Sequence, residues 1–386
     1  MPSPDVPLNP VELAQALIRR PSVTPADAGA MAVIEQALSG LGFNCRRMRF
    51  GQIENLYARR GTEGPNLCFA GHTDVVPTGA TAAWRHDPFA GRIEDGLLHG
   101  RGTVDMKGAI AAFIAAIPPT AGPTGSLSLL ITGDEEGLAV DGTRRVVETL
   151  MAEGERIDHC LVGEPSSSAK LGDMIKVGRR GNVNAWITVE GTQGHVAYPD
   201  RAANPAPVLI NLLARLIQHR LDAGYPQFQP SNLEVTALAA DDVANNVTPS
   251  TASARLNIRF NPTHTGASVT RWLEAECEST RSTFPGTVRL KTVIKGEPFL
   301  TPPERFVHMV ADVVEATLGL RPELSTSGGT SDARYIRALC PVIELGLVGT
   351  TMHKVNESTS INEIVALTRV YRAVIERYFE TLGGRA

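Results

Sequence analysis

The chain has 386 residues, 42% of them hydrophobic and 20% charged, with a formal net charge of -4. That length exceeds what one hydrophobic core usually supports, so two domains of unequal size, or one elaborated domain, are expected. The composition excludes a disordered or membrane-embedded chain, and a small acidic excess offers nothing to nucleic acid, whose partners normally show a basic excess or stripe.

The opening stretch, Met1 to Pro7, has no basic start followed by an apolar run, and no apolar segment reaches bilayer-spanning length. A cytoplasmic location is therefore expected, with no membrane partner. The five cysteines (Cys45, Cys68, Cys160, Cys277 and Cys340) are widely spaced without a CxxC, which suggests small buried hydrophobes rather than disulfides or a thiolate metal site.

Helical patterns cover Pro10 to Arg20 and Asp27 to Leu41, with Asn9-Pro10 a suitable start for the first and Gly42 a stop for the second. Short apolar strands follow at Asn66 to Ala70, Ser126 to Thr132 and Cys160 to Val162, and a helix at Ala109 to Ile117. Buried strands alternating with helices predict an α/β layer, a mixed sheet flanked by helices, with its site at strand ends.

From about Gly181 the texture changes. Val183, Ala185, Ile187 and Val189 alternate with more polar neighbours, the period of a half-exposed strand. A helix carrying Val208, Leu209, Leu212, Leu213 and Leu216 follows, then strands at Ser231 to Ala237 and Ala254 to Phe260, a helix at Ser268 to Thr280 and a strand at Thr287 to Ile294. Helical and buried-strand texture returns after Pro302-Pro303, at Glu304 to Leu318, Pro341 to Leu345 and Ile361 to Leu382. The expected organisation is one α/β domain formed by residues 1–180 and 294–386, interrupted by an α+β module over 181–293.

Acids and histidines gather where strands end. Cys68-Phe-Ala-Gly-His72-Thr-Asp74 runs off a strand into a turn, and residues two apart on a strand share a face, so Asp74 can orient the His72 imidazole; the segment also reads as a turn capped by an aspartate. Asp105, in a glycine-rich loop before a helix, is either a helix cap or another ligand. Asp134-Glu135-Glu136 puts three consecutive carboxylates after an apolar strand, where they repel one another unless cations neutralise them. Glu164 ends another strand, and His353 follows a later one. Two imidazoles and at least three carboxylates, without thiols, suit zinc, cobalt or manganese and suffice for two ions. His86, His99, His159, His219, His264 and His308 read as surface or satisfied core histidines.

GHTDVVP (71–77), GRGTVDMKG (100–108), GDEEG (133–137), GEPSS (163–167), GHVAYP (194–199) and MHKVNE (352–357) occur in the order seen in the M20 metallopeptidase and aminoacylase family, which the chain resembles over nearly its whole length. The resemblance implies a dinuclear zinc centre, one ion replaceable by cobalt or manganese. Asp105 would bridge the two ions, with His72 and Glu164 on one and Glu136 and His353 on the other. It further implies Glu135 as general base, Asp74 as the carboxylate orienting His72, and the inserted module as a lid and homodimer interface whose His195 stabilises an oxyanion in the partner's site. Gly178-Arg-Arg-Gly181, the segment from Ser327 to Tyr335 and the MHKVNE ending resemble the branch that cleaves succinyl amides more than the acetylornithine or peptidase branches. The expected reaction is hydrolysis of N-succinyl-L,L-2,6-diaminopimelate. Arg179, Arg259 and Arg334 are expected to supply guanidinium forks for its carboxylates, with Asn245, Asn246, Gly329 and Thr330 as further contacts. Arg180 reads equally as solvated surface.

Overall fold

A computed structural model describes residues 8–118, 125–241 and 243–382; the opening stretch Met1 to Pro7, in which a leader was sought, lies outside them. Contacts divide the chain into two compact units, one formed by residues 1–177, 301–325 and 331–386 and the other by 178–300 and 326–330. Among the described residues no helix is long and apolar enough to cross a membrane.

The larger unit is built on an eight-stranded mixed sheet in the spatial order Asn44–Phe50, Ile53–Arg60, Ser126–Thr132, Asn66–His72, His159–Val162, Val342–Glu344, Met174–Lys176, Glu323–Ser325. Ser126–Thr132 and Asn66–His72 pair in parallel from Asn66 opposite Ser126 to His72 opposite Thr132. Both are buried at every residue, which is why their sequences run apolar instead of alternating. His159–Val162 adds a third parallel strand, with Phe69 opposite Leu161.

The helix Gly108–Ala116 is buried at every position, and its alanines let neighbouring elements approach closely. Its Phe113 stacks on Phe69 at 4.1 Å between ring centroids, and Tyr371 of the helix Ile361–Thr381 meets both rings edge-on at 5.4 and 5.7 Å. Aromatic pairs of this kind add about 0.5–1.5 kcal/mol beyond their buried area. Here they fix the helix that follows Asp105 against the strand that ends in His72. At the start of the unit, Asn9 accepts from the Val11 amide at 3.0 Å and Pro10 takes the first helical position, so the helix Pro10–Ile18 begins where the sequence indicates.

The smaller unit has a four-stranded antiparallel sheet in the order Asn232–Ala240, Thr251–Phe260, Gly181–Glu190, Thr287–Gly296, covered by the helices Pro205–Gln218 and Gly266–Arg281. Val183, Ala185, Ile187 and Val189 all face its core with Leu209, Leu212, Leu213, Leu256, Ile258 and Leu273. A two-residue ladder, Gly178–Arg179 with Phe299–Leu300, closes the unit where the chain enters and leaves it.

Candidate active site

Three adjacent parallel strands deliver most of the candidate ligands, because their carboxyl ends share one edge of the larger unit's sheet. Asn66–His72 ends on His72, Ser126–Thr132 leads into Gly133 to Gly137 with Glu135 and Glu136, and His159–Val162 leads into Gly163-Glu164. The fourth contribution is the irregular turn Thr103–Lys107, where Asp105 has φ -123° and ψ 94° and is joined to Met106 by a cis peptide bond. Gly71 leaves room for that turn, since a Cβ there would lie 2.5 Å from Met106 Cε. His353 comes from the loop before Ser358–Ser360 and has a positive φ of 61°.

The side chains converge on Asp105. His72 Nε2 lies 3.0 Å from Asp105 Oδ1 and 3.8 Å from a Glu164 oxygen. On the other side, His353 Nε2 lies 3.1 Å from Asp105 Oδ2 and 2.7 Å from Glu136 Oε1. Two groups of potential metal donors, His72–Asp105–Glu164 and Asp105–Glu136–His353, therefore share one carboxylate; His72, Glu135 and Glu136 form a third grouping. In each group the donor atoms lie within 4.8 Å of one another.

Asp74 behaves differently from the strand-face expectation. The strand ends at His72, and the His72 Nδ1 proton is given to the Asp74 main-chain carbonyl at 2.8 Å while the nearest carboxylate oxygen stands at 3.6 Å. The carboxylate instead accepts from the amides of Glu135 and Glu136 at 3.2 and 3.0 Å. Asp74 thus fixes both the His72 tautomer and the turn that carries Glu135 and Glu136.

Electrostatics account for what the cluster needs. Burial, the nearby Asp105 and Glu135 push the Glu164 carboxyl well above its ordinary range, and burial with Asp332 and Glu136 does the same to Glu135 against the pull of His72. Burial raises Asp74 to about 6. Asp105 moves the other way: burial is outweighed by hydrogen bonds from His353 and His72. The hydrogen bonds to Asp105 and Glu136, with their charges, raise His353 to about 10, and the Asp105 contact lifts His72 despite its burial. Two protonated imidazoles bring two positive charges to the five carboxylates of Asp74, Asp105, Glu135, Glu136 and Glu164, whereas two divalent cations bring four. The nitrogen and oxygen donors, and a carboxylate aiming one oxygen at each imidazole, fit a pair of such cations.

Of the other candidates Arg334 belongs to the larger unit, where its guanidinium faces the charge of Asp332 and lies 4.6 Å from the Tyr335 ring centre; the rest, Arg179 and Arg259 among them, lie in the smaller unit. Arg179 is buried and donates from Nη1 to the Ser327 carbonyl at 3.1 Å, with Gly328 (φ 100°) leaving space for the guanidinium; Gly329 and Thr330 follow in the same loop. Arg259 donates from Nε to Asn257 Oδ1 at 3.0 Å, and its buried Nη1 has no hydrogen-bond partner. Burial and the charges of Arg180 and Arg179 make Arg259 easier to deprotonate than usual, so Arg259 is repelled by two neighbouring guanidinium groups. Arg180 is half-buried and bonded to Asn232 Oδ1 at 2.9 Å rather than solvated. His195 is exposed, with Nδ1 accepting from the Ala197 amide at 3.1 Å, and its strand-like pairing with Val247 brings Asn245 and Asn246 alongside.

Several participants lie inside the sequence motifs without having been given a role. Arg101 and Glu357 form a buried ion pair beside the cluster. Lys107 is fully buried, its Nζ donating to the Arg20 carbonyl at 2.8 Å, and burial lowers it to about 7. Asp332 accepts from the Thr143 hydroxyl at 2.6 Å and is close enough to raise Glu135. For Arg101, between two glycines, and Lys107, between Met106 and Gly108, those neighbours were the available signal; Glu357 and Asp332, beside small residues, carried none. None of the six histidines set aside above joins a metal-donor group among the described residues: His86 pairs with Glu94, His159 with Tyr378 and His264 with Asp222.

The chain belongs to peptidase family M20/M25/M40, whose model matches residues 68–377. Over 375 residues it is 62% identical to the succinyl-diaminopimelate desuccinylase of Phenylobacterium zucineum (strain HLK1), covering 96% of this chain and 99% of that one. Its fold is similar to that of the M20 family metallo-carboxypeptidase Sso-CP2 from Sulfolobus solfataricus, with a TM-score of 0.79 at 16% identity over 96% of this chain and 99% of that one. It is also similar to the YXEP protein of Bacillus subtilis, described as a dinuclear metal-binding peptidase, with a TM-score of 0.69 at 15% identity over 95% and 97% of the two chains.

Proposed function

We propose that this chain is a dinuclear metal amidohydrolase that cleaves N-succinyl-L,L-2,6-diaminopimelate to succinate and L,L-diaminopimelate, a step of diaminopimelate and lysine synthesis. The metal reading is carried by Asp105, whose two carboxylate oxygens stand 3.0 and 3.1 Å from two different imidazoles. The choice of substrate is supported by a relative of that name at 62% identity and by the guanidinium cluster of the smaller unit.

His72, Asp105 and Glu164 would hold one ion and Asp105, Glu136 and His353 the other, zinc being the assignment best matched by imidazole and carboxylate donors. When bound, the ions supply Lewis-acid polarisation of the amide carbonyl and a water of lowered pKa. Glu135, kept out of both bridged triads, takes the proton from the attacking water and delivers it to the departing amine. Asp74 keeps His72 in the tautomer that presents Nε2 and holds the Glu135 turn through two amides. Arg179 and Arg259 receive substrate carboxylates, since a guanidinium fork matches a carboxylate bidentately and an anion relieves their mutual repulsion. Asn245, Asn246, Gly329 and Thr330 add neutral hydrogen bonds. In this reading residues 181–293 form the homodimer interface and lid, and His195 stabilises the oxyanion in the partner's site. The protein works in the cytoplasm.

Succinate release from N-succinyl-L,L-diaminopimelate, followed before chelation, after chelation and after zinc reloading, tests the assignment. Activity that disappears and returns with zinc supports it, and activity indifferent to chelation refutes the metal mechanism.

A further inference from the structure

Arg101 and Glu357 stand 256 residues apart, yet their side chains are 3% and 0% exposed and Arg101 Nη1 donates to Glu357 Oε2 at 2.6 Å. Each half of the pair also grips main chain. Glu357 Oε1 accepts from the amides of Val104 and Asp105 at 2.9 and 3.3 Å, and the Glu357 carbonyl accepts from Gly100 at 3.0 Å. Arg101 donates from Nη1 to the Lys354 carbonyl at 3.2 Å, and from Nη2 to the His353 and Pro77 carbonyls, both at 3.4 Å. The Trp84 ring lies 5.3 Å from the guanidinium carbon. His353 is the ligand candidate most in need of such support, since its side chain is 46% exposed and its φ is positive.

The geometry points to Arg101–Glu357 as a positioning pair that sets the separation of Asp105 and His353, and thereby the affinity of the Asp105–Glu136–His353 side for its metal ion. This rests on the two-metal reading above. Glu357 anchors the main chain of Asp105, Arg101 anchors the main chain of His353, and the ion pair joins the two anchors. His72 and Glu164 owe their placement to strand ends and the Asp74 carbonyl, and the two sides share only Asp105, so the pair acts more strongly on the ion that His353 would hold than on the other. Substituting Glu357 by Gln keeps the acceptor for the two amides but turns the amide nitrogen towards Arg101. Substituting Arg101 by Lys keeps the charge but loses the fork that spans Glu357 and the two carbonyls.

The test is calorimetric titration of metal-free full-length chain with Zn2+, with Co2+ absorption following each site. Wild type takes up two ions. Glu357→Gln and Arg101→Lys are each expected to weaken one ion by roughly 10–100-fold, as for other groups that orient ligands, and to weaken the second, which shares only Asp105 with it, markedly less. The more weakened ion is assigned by double-mutant analysis: Glu357→Gln loses most of its effect on a His353→Ala background and keeps it on a Glu164→Ala background. Equal weakening of both ions, additivity with His353→Ala, or unchanged affinity in both variants overturns the proposal. Should Glu357→Gln fail to fold, Arg101→Lys alone decides by the same criteria. A wild-type chain that binds fewer than two ions overturns the two-metal reading itself, before any variant is considered.

Discussion

Glu135 illustrates how one residue's surroundings define its chemistry. Its carboxyl is pushed up by burial and by Asp332 and Glu136, yet it stands outside the two triads that share Asp105. Glu135→Gln preserves shape and removes basicity, so turnover should fall by about 10²–10⁴-fold while two metal ions are still found by elemental analysis. Near-normal turnover would place the base elsewhere. The cluster's titration gives a second expectation for metal-free protein. A group whose folded pKa is raised stabilises the fold below its unfolded pKa and loses that contribution as pH rises through the folded value. Asp74 at about 6, with Glu135 and Glu164 also raised, acts this way through the mildly acidic range; His72, and His353 at about 10, continue the loss above 6.5. Asp105, shifted down, opposes only in strong acid, and Lys107, lowered by burial to about 7, opposes above that pH. The melting temperature of metal-free protein should therefore fall between about pH 5 and pH 7, below the range in which Lys107 opposes, and Zn2+ should raise it more at the higher pH. A melting temperature that climbs over that interval would contradict the account of the cluster. The ligand types were legible in sequence because carboxylates after apolar strands are conspicuous. The Asp74 carbonyl contact was not, because strand alternation predicts side-chain direction only while the strand lasts, and it ends at His72.

Elements with a strong single period were read closely, including Pro10–Ile18, Ser126–Thr132 and Gly181–Glu190. The hairpin Asn44–Phe50 with Ile53–Arg60 was missed because Arg46, Arg47 and Arg49 give an edge strand a polar surface without an apolar run. The helix Thr143–Ala152 was missed because only Thr143, Val146, Val147 and Leu150 are buried amid charged neighbours. The turn before Gly108–Ala116 was legible as glycine-rich but not as a ligand-bearing turn, since its form depends on contacts made across the fold. Gly108 shows the constraint: a Cβ there would lie 2.4 Å from the Thr103 carbonyl oxygen and 2.8 Å from Leu347 Cδ1. Gly108→Ala should cost about 1–3 kcal/mol in urea unfolding and weaken metal binding through Asp105. A neutral result would mean that the turn can give way.

At the scale of the whole molecule, the ligand cluster lies within the larger unit, whereas His195 and the guanidinium cluster lie in the smaller one. Cooperation across subunits in a homodimer predicts complementation: inactive Glu135→Gln protein mixed with His195→Ala protein should regain activity as subunits exchange. Each heterodimer then contains one site with both residues intact. His195→Ala alone should lose about 10²–10³-fold, the usual effect of removing one oxyanion donor. Absence of recovery after verified exchange would remove the shared site.

The central claim, a dinuclear hydrolase built for a succinyl group, is tested most directly by the ratio of kcat/KM for N-succinyl-L,L-diaminopimelate to that for N-acetylornithine, measured with zinc-loaded protein. A site whose guanidinium groups meet a carboxylate forgoes that charge pairing when an acetyl group enters, so the ratio should be about a hundred or more. A ratio near one would contradict the succinyl assignment.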